Sequence, residues 1–290
     1  MNKKIICMAA AACMVCMQLS ALEFEFSWSQ EVSVPGSDEK QNFSVTLKDL
    51  QEAYKSKKDA DIDLSKIEGT ENESAPKNED KPDIDTIRTL AESGNPSFQI
   101  QLGIMYAQGK WLERDWNESL RWFELAAEQG NARAQNYIGS LYVLDKTGIP
   151  NDYEKAKVFF EKSAAQNYSK AYLGLGYVYY RTGKDNPQNY KKSLEYYKKA
   201  EKLGLRDAYY CIGSIYMEGA GVPQNDKKAF SYFEKGAKKG NVFCQRQLGL
   251  MYRDGKYVKK DTEQSKLWLN YAAKQGDEKA AQALSELEAQ

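Results

Sequence analysis

An apolar residue followed by glycine recurs five times in this 290-residue chain: Leu102-Gly103, Ile138-Gly139, Leu175-Gly176, Ile212-Gly213 and Leu248-Gly249. Successive glycines are 36, 37, 37 and 36 residues apart. Three residues after each stands a tyrosine: Tyr106, Tyr142, Tyr179, Tyr216 and Tyr252. A turn follows, then a helix-capping side chain at Asp115, Asp152, Asn189, Asn225 or Asp261. Four residues on is a small residue: Ser119, Ala156, Ser193, Ala229 or Ser265. Three further on is an aromatic: Trp122, Phe159, Tyr196, Tyr232 or Trp268. Each unit closes on Gly130, Asn167, Gly204, Gly240 or Gly276. A fixed period of this length means stacked supersecondary units.

Each slot has a physical reading. The positions five and one before the glycine, the glycine and the tyrosine are spaced i, i+4, i+5, i+8, one apolar stripe of a helix. Glycine and the small residues let two backbones approach. The aromatics fill the space between layers. Asp or Asn before the second helix accepts from its first unpaired N–H groups. The closing Gly or Asn takes the left-handed conformation that ends a helix. No unit buries its stripe alone, so stability comes from stacking.

These residues resemble the Sel-one-like (SLR) repeat, a relative of the tetratricopeptide repeat. The fourth unit matches best, with Ala208, Ile212-Gly213, Tyr216, Gly219, Gly221-Val222, Lys228-Ala229, Tyr232, Ala237 and Gly240. The second and third units depart at the inter-helix loop, where Leu144-Asp145-Lys146 and Arg181-Thr182-Gly183 replace Gly-x-Gly. The resemblance implies an all-α, right-handed superhelical α/α solenoid over 84–290. Its five helix–turn–helix repeats run about 97–131, 132–168, 169–205, 206–241 and 242–277, and a helix caps it at 278–290. A half-unit at 84–94 lacks the aromatic slot and is expected to pack loosely.

The flanks read differently. Residues 1–21 have two lysines, an apolar run from Ile5 to Met17 and a small-residue end at Ser20-Ala21. That is the form of a signal peptide, cleaved after Ala21, and its core is too short for an ordinary membrane span. The expected location is periplasmic or secreted, with no transmembrane segment after cleavage. Residues 23–83 carry 8 basic and 16 acidic residues, leaving 31 basic and 25 acidic in 84–290. Alternating residues at 22–34, and more weakly at 42–47, are strand-like. Lys48 to Lys58 suits a short helix. The polar, acidic stretch from Asp59 to Asp83 reads as disordered linker.

Functional chemistry is sparse. The chain has no histidine, which removes the commonest general base and metal ligand. Ser37-Asp38-Glu39-Lys40 and Lys146-Thr147-Gly148 match two of the three serine β-lactamase motifs, but the third is absent. Neither a cofactor, a metal nor catalysis is expected. Three of the five cysteines fall in the signal, leaving Cys211 and Cys244. A bridge between them needs Cα atoms within about 7 Å; the alternative is two separate buried small residues.

In tetratricopeptide relatives the first helices line a concave groove, with ligand-facing slots six and three before the glycine and one, four and five after it. By that resemblance the partner-facing residues here are Arg133 and Asn136; Lys170, Tyr177, Tyr180 and Arg181; Asp207, Tyr210, Ser214, Met217 and Glu218; and Phe243, Arg246, Arg253 and Asp254. Arg and Tyr dominate binding hot spots. The expectation is a non-catalytic, monomeric envelope adaptor for a protein or peptide. The alternatives are weak β-lactamase or penicillin-binding activity, as in cysteine-rich SLR relatives, and a glycan-binding module. Nucleic-acid binding is not expected of a body only +6 in charge.

Overall fold

The computed structural model describes residues 30–32, 41–43, 82–145 and 147–289. The expected signal at 1–21, the short helix at 48–58 and the linker at 59–81 lie outside the described residues. Strands β1 (Gln30–Val32) and β2 (Gln41–Phe43) pair antiparallel, with Gln30 opposite Phe43 and Val32 opposite Gln41.

The rest of the described chain is helical. A leading helix α1 (Ile84–Glu92) precedes five pairs. The pairs are α2 (Pro96–Gln108) with α3 (Trp116–Glu128), α4 (Ala132–Leu141) with α5 (Tyr153–Ala165), and α6 (Ser169–Thr182) with α7 (Gln188–Lys202). Then come α8 (Asp207–Glu218) with α9 (Asp226–Lys238), and α10 (Val242–Asp254) with α11 (Thr262–Lys274). Helix α12 (Glu278–Glu288) closes the stack. Each helix packs on the next in sequence, and first helices of neighbouring units also touch at α4–α6, α8–α10 and α10–α12. This is the α/α solenoid that the period requires. No described helix is long and apolar enough to cross a membrane.

The closing residues do what their chemistry predicts. Gly130, Asn167, Gly204, Gly240 and Gly276 all have φ between 63° and 89°. Four of the five capping residues cap: Asp115, Asp152, Asn225 and Asp261 accept from backbone N–H groups of the first turn of α3, α5, α9 and α11. Asn189 does not. The third unit's loop ends earlier, so α7 starts at Gln188 behind Pro187, and the Asn189 amide donates to Thr182 Oγ1 at 2.9 Å. In the other four units the capping residue's N–H bonds the carbonyl of Tyr106, Tyr142, Tyr216 or Tyr252 at 2.8–3.1 Å, closing the loop.

The recurring glycines mark a close helix–helix contact in every unit. A Cβ on Gly103, Gly139, Gly176, Gly213 or Gly249 would stand 2.5–2.8 Å from Phe123, Phe160, Tyr197, Phe233 or Leu269. These are the residues one past the aromatic slot that the sequence singles out, and all are buried to 2 % exposure or less. Phe160 is held from both sides, because Gly174 of the next unit also meets it at 2.4 Å from a built Cβ. Burying each ring contributes about 2–3 kcal/mol. The helix α1 half-unit is not loose: Ile87 and Ala91 are fully buried in one cluster with Leu102, Met105 and Trp122. Its aliphatic side chains fill the space that the aromatic fills elsewhere.

Candidate partner-binding surface

The groove slots divide by burial. Arg133, Lys170, Arg181, Met217 and Arg253 keep partial exposure. Asn136, Tyr177, Tyr180, Tyr210, Ser214, Phe243 and Arg246 do not, and Tyr177 and Tyr210 are only 1 % exposed. The expectation that all these slots face a partner is corrected for those seven. The first helices pack closely enough that a long ring at such a slot is covered by the neighbouring unit. Tyr210, for example, lies against Phe233 of its own unit and Phe243 of the next, at 5.9 and 5.6 Å between centroids.

The accessible arginines are braced by tyrosine hydroxyls or by a carboxylate. Arg133 donates from Nε and Nη2 to the Tyr137 hydroxyl at 3.2 Å. Arg181 donates to the Tyr177 hydroxyl at 3.0 Å and lies over the Tyr153 ring. Arg253 pairs with adjacent Asp254 at 2.7 Å. Arg246 plays another part: it forms a buried ion pair with Asp277, the N-cap of α12, and so ties the fifth unit to the capping helix.

Two half-buried carboxyls stand out. The Tyr180 hydroxyl donates to Glu218 Oε2, joining the third unit to the fourth. Glu218 Oε1 is buried without a hydrogen-bond partner. Burial pushes the Glu218 carboxyl up to about 7, against the opposing effect of the Tyr180 bond. Burial also raises Asp207, which accepts from the Asn241 amide at 2.8 Å. Spacing flagged both as slots, but not the upward shift of their carboxyls, because neither covering element is local in sequence.

Cys211 and Cys244 are buried thiols, not a disulfide. Cys244 Sγ is wedged against Gly236 of α9, at 2.4 Å from a Cβ built there, and burial raises its pKa well above the ordinary thiol value. The bridge is therefore replaced by the alternative of two separate core residues. Thr147, from the lactamase-like triplet, is buried, and its hydroxyl accepts from Ile149 N at 3.1 Å within its own loop. Among the described residues, no cluster of His, Cys, Asp and Glu has metal-binding geometry.

Sequence reasoning also missed an outer pattern. In units two, three and four the slot aromatic stacks on the tyrosine that follows the glycine: Tyr142–Phe159, Tyr179–Tyr196 and Tyr216–Tyr232, at 6.3, 5.3 and 5.8 Å. An exposed lysine lies over each end of each stack. They are Lys155 and Lys162, Lys192 and Lys199, Lys228 and Lys235, at 4.9–5.5 Å except Lys235 at 5.6 Å. The signal was legible: the lysines recur three and ten residues past the capping slot.

A stack of five helix pairs with these contacts defines the molecule as a helical-repeat solenoid. The Sel1 repeat model matches it five times, at residues 96–131, 132–168, 169–205, 206–241 and 242–277, and the chain belongs to the Sel1 repeat family. Among solved structures it is similar to a Sel1 repeat protein from Oxalobacter formigenes, at 30 % identity and TM-score 0.55, over 69 % of this chain and 85 % of that one. It is also similar to c5321, described as a protective antigen of uropathogenic Escherichia coli strains with an SLR fold. That match has 30 % identity and TM-score 0.59, over 70 % of this chain and 43 % of c5321. No curated protein matches the chain. Sel1 repeat proteins generally mediate protein–protein interactions, and their scaffolds are generally non-catalytic.

Proposed function

We propose that this chain is a non-catalytic adaptor, exported to the cell envelope or beyond, that binds a protein partner along its first helices. The observation that carries the reading is the five-unit Sel1 solenoid. Such a stack presents one side chain per unit at a regular interval, which suits an extended partner. The accessible slots contribute Arg133, Lys170, Arg181 and Arg253. Three of these arginines are already ordered, two by tyrosine hydroxyls and one by a carboxylate, which reduces the entropy lost on binding. Export rests on the leader-like residues 1–21; the SLR-fold relative described as a protective antigen accords with it.

The test is cross-linked capture from the native envelope with the full chain, followed by mass spectrometry. A partner enriched by the wild type and recovered at least ten-fold less by the Arg133→Ala/Lys170→Ala/Arg253→Ala variant, at unchanged helical circular dichroism, is expected. Equal recovery by the variant, or no enriched partner, would sink this reading. Cell fractionation that finds the unprocessed chain in the cytoplasm overturns the export part.

A further inference from the structure

The outer lysine–aromatic pattern has no part in that binding mode, and its distribution is uneven. Helices α5, α7 and α9 together carry 12 basic and 6 acidic residues, whereas α3 carries one arginine against three glutamates. At the two lysine slots the first unit has Glu118 and Leu125, and the fifth has Gln264 and Tyr271. So the motif of ammonium, ring, ring, ammonium belongs to three consecutive units only.

Within each helix the two lysines are seven residues apart, about 10 Å along the axis. Glu161 of α5 acts on Tyr196 of α7, and Glu201 of α7 acts on Tyr232 of α9, so the three second helices share one face. Six ammoniums therefore form a grid of two columns and three rows. Lys155 pairs loosely with Asp152 at 3.6 Å, but among the described residues Lys162, Lys192, Lys199, Lys228 and Lys235 have no carboxylate within 4.0 Å. Carboxylates are interleaved on this face: Glu161 and Glu195 act on Tyr196, and Glu201 on Tyr209 and Tyr232. They leave the three helices with a net charge of +6.

We infer that the lysine–aromatic face of α5, α7 and α9 is a second docking surface, whose occupant is an acidic segment of a partner protein lying across the three units. This rests on the adaptor reading and adds a surface and a partner chemistry to it. The rings hold the ammoniums over their faces, so less side-chain freedom is lost when carboxylates arrive. Because the ring faces are already covered by lysine and by each other, the stacks meet a partner through charge rather than through open aromatic platforms.

The probe is a fluorescein-labelled 15-residue peptide with glutamate at every third position and serine elsewhere. Fluorescence anisotropy is read on the full chain at low and at physiological salt. Two variants are compared: Lys162→Gln/Lys192→Gln/Lys199→Gln/Lys228→Gln/Lys235→Gln, and a charge-matched control with five exposed lysines changed to Gln at Lys184, Lys259, Lys260, Lys274 and Lys279. At least ten-fold weaker binding by the first, with the control within two-fold of wild type and both melting as wild type does, supports the inference. Equal loss in both variants, or equal binding of an all-serine peptide, overturns it. Phosphatidylglycerol vesicles retained through these lysines when the peptide is not also overturn it, in favour of a membrane. If the five-lysine variant and the wild type bind peptide equally while partner capture still depends on Arg133 and Lys170, only this inference fails. If the wild type captures no partner, the adaptor reading falls.

Discussion

The third and fourth units and the outer ones solve the same packing problem with different chemistry. In units one, two and five, glutamine stands four before the glycine and accepts from the glutamine that ends the second helix: Gln99 from Gln129, Gln135 from Gln166 and Gln245 from Gln275, at 2.7–2.9 Å. In units three and four the slot holds Tyr172 and Tyr209, lying under Lys199 and Lys239. The outer units cap their first helices with Asn95, Asn131 and Asn241. In the three consecutive helices α6, α7 and α8 the N-cap residues Tyr168, Pro187 and Arg206 make no side-chain cap bond, and only Asn186 Oδ1, one residue further out, accepts from Gln188 N of α7 at 3.2 Å. A cap contributes about 1 kcal/mol, so the middle of the stack forgoes several. What it has in exchange are two further buried rings, Tyr177 and Tyr210 at 1 % exposure, beside the Tyr197 and Phe233 slot that units one and two also fill with buried Phe123 and Phe160. Units three and four rely more on buried rings contributed across units, whereas units one, two and five rely more on glutamine bonds made within themselves.

Core truncation tests this contrast most severely. Phe233→Ala in the fourth unit is expected to cost about 4 kcal/mol and Leu269→Ala in the fifth about 3 kcal/mol, read as loss of stability in urea unfolding. If the order reverses, the rings are not what replaces the missing caps.

A smaller effect separates the two by pH. Folding raises the Glu218 carboxyl from its ordinary 4.5 to about 7, so the folded state binds this proton more tightly than the unfolded chain. Its contribution to stability is full below about pH 4.5 and is lost as pH rises through 7. Between pH 5 and pH 8 the wild type should lose about 1–3 kcal/mol that Glu218→Gln does not lose. Parallel pH profiles of the two proteins would show that Glu218 is ionised and solvated in the folded state.

The smallest effect is within one slot. Ser193, in the third unit, donates to the Gly176 carbonyl at 2.7 Å. Ser119 and Ser265, in the first and fifth, are equally buried, but their hydroxyls lack hydrogen-bond partners. Ser193→Ala should cost about 1 kcal/mol, while Ser119→Ala should be neutral or stabilising by a few tenths. Thermal unfolding of the two variants checks this, and equal costs would show that the slot is used alike in every unit.

Much of the architecture was legible because the signals are local. Asp115 caps α3 and Gly130 ends it for reasons contained in one turn of chain. Asn189 misled because the third unit's loop changes the start of α7, and Pro187 there outweighs a suitable side chain two residues later. The slot reading missed Phe123, Phe160, Tyr197 and Phe233 because adjacent aromatics at Trp122, Phe159, Tyr196 and Tyr232 have the same period. Periodicity does not say which of two neighbours turns inward.

The sequence by itself determined the repeat length, the number of units and the points where helices stop, since these follow from backbone conformation and from a stripe that only stacking can bury. Tertiary structure decided which slots stay open to a partner. Tyr177 and Tyr180 occupy positions that are ligand-facing in related repeats, yet both are closed here by the packing of neighbouring helices. Tertiary structure also aligned the lysines of three separate helices over their rings, because exposure and spacing across units depend on how closely one helix seats on the next.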